Sequence, residues 1–213
     1  MSMAEPTTFD ALNKLVGFKR SLPFDRYFGE MRLTRQQRAY RKELARKLYE
    51  DFVWLMSYMF YARQQGISVS MDAIMEIRER YREAIGDTVA IDLYIAAHID
   101  SITADIVNVT NKHRDEAGFA YFYSMDRARL IAEGEANSIF NYTEYEEAAK
   151  NKSYKTWNTI MDGHQRESHG LVNGTTIPID EEFVLEGGTC QFPRSDSLPD
   201  EEVANCRCSL TFS

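Results

Sequence analysis

The chain has 213 residues, 44% of them hydrophobic and 27% charged, and its 25 basic against 33 acidic side chains leave a net charge of −8. That length accommodates one large domain or two small ones, and that acidity argues against the whole molecule coating nucleic acid. The longest apolar run, Phe52 to Ala62, is interrupted by Ser57 and falls short of the roughly 20 residues that cross a bilayer, so no membrane partner is expected. Met1 to Thr8 is polar and lacks the basic and apolar regions of an export signal. The three cysteines therefore read as reduced thiols of a protein made in a cytoplasm.

A loose segment punctuated by Pro6 and Pro23 comes first. Thr34 then stands as an N-cap for a long helix running to about Gln65, where Gly66 supplies the left-handed stop. The first half of that helix is basic, with Arg32, Arg35, Arg38, Arg41, Lys42, Arg46 and Lys47 against the single acid Glu43. Such a run can neutralise phosphates, and binding of that kind weakens as salt rises. It carries Tyr40 but lacks the interleaved aromatics that base stacking uses, and a solvated face or a dock for an acidic protein is the other reading. The second half, Phe52 to Tyr61, is apolar around nearly its whole circumference and must be covered on every side, by its own domain or by a partner.

Ser70 caps a second helix ending near Gly86. Asp87 caps a third, in which Ile91, Ile95, Ile99, Ile102, Ile106 and Val109 recur at four- and three-residue steps and mark one face, the seam of a bundle. A last helix spans about Ser124 to Lys152.

From Ser153 the pattern changes. Tyr154 to Met161 is aromatic and β-branched and reads as a strand. Asp162-Gly163 makes a turn, and His164 to His169 form a short helical turn closed by Gly170. Asn173-Gly174 between Val172 and Thr175 signals a two-residue hairpin. Between Asp180 and Glu202 eight acids face only Arg194, in a loop containing Gly187-Gly188, Pro193 and Pro199. Cys206 to Phe212 closes the module as a strand whose period of two points Cys206 and Cys208 to one face and Arg207 to the other. The expected fold is mainly α: an N-terminal helical bundle in residues 1–123 that docks a partner, then a helix with a small α+β module in residues 124–213.

Trp157, Asp162, Arg166, Ser168, His169, Asn173-Gly174, Glu182-Phe183 and Asn205-Cys206-Arg207-Cys208 follow one another in an order and spacing that resembles the C-terminal domain of the phage Mu F-like minor head proteins, the phage head morphogenesis family. The preceding helix is similar as well, with Ile131-Ala132-Glu133-Gly134-Glu135 where members commonly read Ile-Ala-Arg-Thr-Glu, followed by Asn141. The resemblance covers roughly Ser124 to Leu210. It implies a minor capsid protein of a tailed phage or prophage that acts by binding, without turnover, in host cytoplasm during assembly and then in the virion, inside the head or near the portal. The implied partners are portal protein, major capsid protein and packaged phage DNA. The motif residues Trp157, Asp162, Arg166, His169, Gly174, Asn205 and Arg207 would hold the module or meet a partner. Glu133-Gly134 departs from the family's Arg-Thr, so the basic side chain of that position is missing.

Many relatives also carry Cys-x-x-Cys where this chain has Arg166 to His169, and with His-Pro before the Asn-Cys-Arg-Cys such a relative could assemble a zinc site. Here His169, Cys206 and Cys208 remain, Arg166 is a non-ligand, and Cys190 is the available substitute. The expectation is no cofactor, with the thiols packed as small hydrophobes that lock the last strand; zinc on His169, Cys190, Cys206 and Cys208 is the alternative. For Asp162, His164, Arg166, Glu167 and His169 the structural reading pairs Asp162 with Arg166 at i, i+4 and uses His169 to cap carbonyls before Gly170. The chemical reading is a small nuclease or prophage-associated toxin with its site near Asp162–His169.

Overall fold

A computed structural model describes residues 6–16 and 24–213. The polar stretch preceding Pro6 and the break at Pro23 lie outside the described residues. The chain forms two compact units, one drawing on Met1–Leu22 and Arg46–Ala132, the other on Pro23–Ala45 and Glu133–Ser213. The fold is mainly α with a small antiparallel β module late in the chain.

The first unit is helical. It contains α1 (Phe9–Val16), the later part of α3 (Arg35–Gln64), α4 (Met71–Gly86), α5 (Leu93–Lys112), a 3-10 turn at Phe119–Tyr123 and the start of α6 (Met125–Ala148). The ends of α3 follow from local chemistry. Thr34 Oγ1 accepts from Gln37 N at 3.2 Å while Gln37 Oε1 accepts from Thr34 N at 2.9 Å, a reciprocal capping pair. Gly66 at φ 67° then turns the chain so that Ile67 N reaches Ala62 O, the closure that favours glycine. Ser70 caps α4 through Ala73 N at 3.2 Å.

Asp87 does not open the third helix. Its N–H bonds Ile85 O and finishes α4, and Asp92, five residues on, caps α5 through Ile95 N at 2.9 Å. The isoleucine stripe is displaced accordingly. Ile95, Ile99 and Ile106 are buried, while Ile91 and Val109 are exposed and Thr103 and Thr110 complete the inner face. Each threonine hydroxyl donates to the carbonyl four residues back, so these polar side chains enter the core with their hydrogen bonds made. Phe52, Leu55, Met56, Met59 and Phe60 are buried and only Tyr61 of the apolar segment is exposed, so the segment is core. Phe52 packs edge-on against Tyr81 at 5.7 Å. Among the described residues no helix is long and apolar enough to cross a membrane.

The second unit combines α2 (Phe24–Gly29), the start of α3 and most of α6 with β1 (Tyr154–Asn158), α7 (Glu167–Leu171), β2 (Thr176–Pro178), β3 (Phe183–Leu185), β4 (Gly188–Cys190), α8 (Asp200–Val203) and β5 (Ser209–Phe212). β1 is the central strand of a sheet ordered β2-β1-β5, both pairings antiparallel. The Asn-Gly pair does not join two flanking strands. Residues 167–171 are helical, and Gly174 at φ 78° sends the chain into β2 while its N–H bonds Trp157 O at 2.8 Å. The acidic loop contains a hairpin, because Leu185 pairs with Gly188 and leaves Glu186-Gly187 as a two-residue turn. β5 begins at Ser209, so both late cysteines precede it.

Candidate functional site

β1 sets the site. Its period of two turns Lys155 and Trp157 to one buried face, and Trp157 is fully enclosed. The indole meets His169 edge-on at 5.6 Å and Phe183 at 5.1 Å. Its Nε1 donates to Thr159 Oγ1 at 3.0 Å, and that hydroxyl donates onward to His169 O at 2.8 Å. The strand thus fixes both the ring and the backbone of α7.

His169 is anchored at the other end by Glu202, a residue with no distinguishing mark in the sequence beyond its place in an Asp-Glu-Glu run. Glu202 Oε2 lies 2.8 Å from His169 Nε2 and accepts from Ser168 Oγ at 3.0 Å, while Oε1 accepts from Gly187 N at 3.0 Å. A Cβ on Gly187 would stand 2.7 Å from Glu202 Cγ, so the turn must be glycine for the carboxylate to enter. Burial pushes the Glu202 carboxyl up, and the hydrogen bonds from Gly187 and Ser168 with the charge of His169 outweigh it, holding it below the usual range. An ionised Glu202 accepts a hydrogen bond from Nε2–H, the tautomer that leaves Nδ1 of the neutral imidazole as an acceptor.

Nδ1 faces the two thiols. Cys208 Sγ lies 3.4 Å from it, and His169, Cys206 and Cys208 bring their donor atoms within 4.8 Å of one another, all three buried. Although Cys206 and Cys208 precede the strand, the chain there still brings both thiols to His169, while Arg207 reaches Asp162 and Asn205 just before them stands at φ 55°. The thiols are coupled. A hydrogen bond from Cys208 lowers Cys206 well below its ordinary value against the effect of burial, assisted by His169; the same bond and burial raise Cys208. For His169, burial lowers the imidazole, and hydrogen bonding and charge at Cys206 together with Glu202 raise it overall.

The expected Asp162–Arg166 pair does not form. Asp162 Oδ2 takes Arg207 Nη2 at 2.5 Å and its Oδ1 takes His164 N at 3.1 Å, and the Arg207 bond holds the carboxyl below the usual range. Arg166 donates to the Ala204 carbonyl. His169, bound to Glu202 and facing the thiols, caps no carbonyl. Arg166, His164 and Arg207 line a narrow pocket whose floor is His169, Cys206 and Cys208.

The thiol segment is held from behind through its carbonyls. Tyr27 Oη donates to Cys206 O at 2.8 Å, and Asn137 Nδ2 and Asn141 Nδ2 donate to Cys208 O at 3.1 and 3.2 Å. The amide oxygens of those asparagines accept from Arg41, whose guanidinium also forks onto Glu144 at 2.6 and 2.9 Å. Arg41 is fully buried, which removes it from any nucleic-acid or partner surface. Arg38 binds the carbonyls of Phe28, Met31 and Leu33, Lys42 pairs with Asp25 and Lys47 with Asp87, and Arg32 reaches Asn158. Arg32, Arg35 and Arg46 are the exposed members of the run. Over Gly134 lies Arg194, whose Nη2 would be 2.5 Å from a Cβ there. A basic group does cover that turn of α6, delivered from Arg194 at φ 65° and held by Ser138 and Glu135.

Cys190 is buried in β4 and is not part of the His169 group. Lys155 is buried in the same core, bonded to Gln191 and stacked over Tyr145 at 4.7 Å. Burial pulls its ammonium from 10.5 down to about 8. Below that value the folded protein carries a desolvated charge; between it and 10.5 the unfolded chain binds the extra proton, so stability rises with pH. Lys155→Met is expected to stabilise the protein by about 2 kcal/mol near neutral pH, the shift offset in part by the lost Gln191 bond. Its advantage over wild type should shrink as pH rises from about 8 to 10.5. Urea midpoints across that window check both statements.

A family model described as phage Mu protein F like protein matches residues 40–211. The chain is 28% identical over 132 residues to the NAD(+)–arginine ADP-ribosyltransferase EFV of Enterococcus faecalis, a match covering 61% of this chain and 26% of that protein. It is 33% identical over 95 residues to the protein YqbB of Bacillus subtilis, covering 42% of this chain and 31% of the relative. The chain therefore spans between a quarter and a third of these curated relatives. No solved structure matches it.

Proposed function

The chain belongs to the phage Mu protein F like family, which makes it a protein of phage head morphogenesis, and from that premise we propose that it is a minor head component working by binding portal or major capsid protein. The family is structural. What supports a binding role for this chain is the state of its acid and histidine residues: Asp162 is engaged by Arg207 and His169 by Glu202. With Asp162 taken by Arg207, no carboxylate among the described residues lines the pocket over His169, which argues against an acid–histidine nuclease or toxin site near Asp162–His169. In this reading residues 1–123 are the docking part and residues 124–213 carry the motif module, the family match from residue 40 spanning both. Contact with packaged DNA would fall to Arg32, Arg35 and Arg46. The protein would be in host cytoplasm during assembly and then in the virion near the portal.

The activity named for the enterococcal relative belongs to a protein of which 26% is matched, and we assign none of it to this chain. Coexpression with the portal and major capsid proteins of the same phage tests the reading. Coelution with one of them on size exclusion is the expected result; separate elution from both overturns it. Incubation with labelled NAD+ is expected to modify no protein above background. Any DNA retention should weaken with added salt, as phosphate neutralisation requires.

A further inference from the structure

We propose that His169 Nδ1, Cys206 Sγ and Cys208 Sγ form a zinc site, with a solvent molecule from the adjoining pocket as the fourth ligand. The set is the chemistry zinc takes, one imidazole and two thiolates. Zinc–sulfur bonds of about 2.3 Å and zinc–nitrogen bonds of about 2.0 Å meeting tetrahedrally put a sulfur about 3.5 Å from the nitrogen. The observed separation of Nδ1 and Cys208 Sγ is 3.4 Å, and all three donors lie within 4.8 Å of one another.

Two further observations favour a metal over packed thiols. Glu202 occupies Nε2 at 2.8 Å, and a metal-bound histidine ordinarily gives its other ring nitrogen to a carboxylate, which fixes the ring and its tautomer. The carboxylate is itself fixed by Ser168 and Gly187. The donors also converge on the floor of a pocket and not on a closed apolar core, so an ion has an entry path and a fourth ligand. A Cys-x-Cys step is tighter than the usual ligand spacing; the bend at Asn205 and the carbonyl anchors from Tyr27, Asn137 and Asn141 let both thiols of so short a segment face His169. The ion would fasten α7 to the segment before β5, 39 residues away in sequence.

The experiment uses the whole chain, purified without chelator. Elemental analysis should find one zinc per chain. After exchange, one equivalent of cobalt(II) should give the thiolate-to-cobalt charge-transfer band and the visible absorption of a tetrahedral site. Cys190→Ser should leave both intact, whereas Cys208→Ser and His169→Gln should each lose the charge-transfer intensity or the bound ion. If those two variants fail to fold, the wild-type cobalt spectrum and its survival in Cys190→Ser still decide. Absence of stoichiometric zinc together with a cobalt titration giving only the hexaaquo spectrum overturns the site, as does loss of the band in Cys190→Ser. Because the readout is the metal, the result is independent of whether the protein binds portal or capsid.

Discussion

Arg41→Leu is expected to destabilise the protein by about 3–5 kcal/mol, the cost of leaving one partner of a buried ion pair without the other. The guanidinium makes four hydrogen bonds at once: two to Glu144, one to Asn137 and one to Asn141. A leucine fills comparable space but leaves a carboxylate only 18% exposed and two amide oxygens without donors. The amides' other ends carry Cys208 O, so the damage extends to the thiol segment. Arg41→Lys should recover only part of the loss, because an ammonium cannot make the planar fork. Adding Glu144→Leu to Arg41→Leu should cost less than Glu144→Leu alone, since an apolar pair leaves no uncompensated charge. Urea midpoints for the three variants and the double variant form the cycle that checks this.

Trp157→Ala should cost a comparable amount, about 3–5 kcal/mol, but by a different mechanism. The ring is fully buried between His169 and Phe183, so truncation opens a cavity in the centre of the sheet's packed face. Trp157→Phe keeps most of the ring and loses the bond to Thr159, for which about 1–2 kcal/mol is expected. The two variants separate packing from hydrogen bonding. The remaining tryptophan, Trp54, lies in the first unit, so unfolding of both variants is followed by far-UV circular dichroism.

What the sequence disclosed was what neighbours in the chain decide. Thr34 with Gln37, Ser70, and Gly66 were legible because capping involves residues three or four apart. Asp87 and Asp92 are both able to cap, and the choice between them was made by Thr88 and Val89, whose N–H groups return to Ile85 O and prolong the end of α4. The strand β1 and the closing strand were legible from their β-branched and aromatic content, although the two-residue turn Glu186-Gly187 was hidden by an acidic loop that reads as solvated. Lys155 beside an inward tryptophan was not legible at all, since a lysine in a strand ordinarily points to water.

The site itself lay beyond local reading. The cysteine pair and His169 could be suspected from their chemistry, but the residue that orients the histidine comes from a different helix, 33 positions away. Arg41 was misread for the same reason. Within a run of seven basic residues nothing marks the buried one; the marks are Asn137, Asn141 and Glu144, about a hundred residues later. Arg194 over Gly134 is a third instance, a basic group supplied by a remote segment where the helix itself has no side chain.

The two units are interleaved along the chain, Arg46–Ala132 falling between the two stretches that build the second unit. Tyr27 must find a carbonyl 179 residues away and Arg41 a carboxylate 103 residues away. Closing such long loops costs little more than closing short ones, because the entropy grows only with the logarithm of length, but distant contacts form slowly. The helices of the intervening stretch are local and can form early, which shortens the span that the flanks have to search. Newly made chains would thus pass through a period in which the first unit is folded and the thiol segment still waits for its helix, the interval in which Cys206 and Cys208 are most open to oxidation.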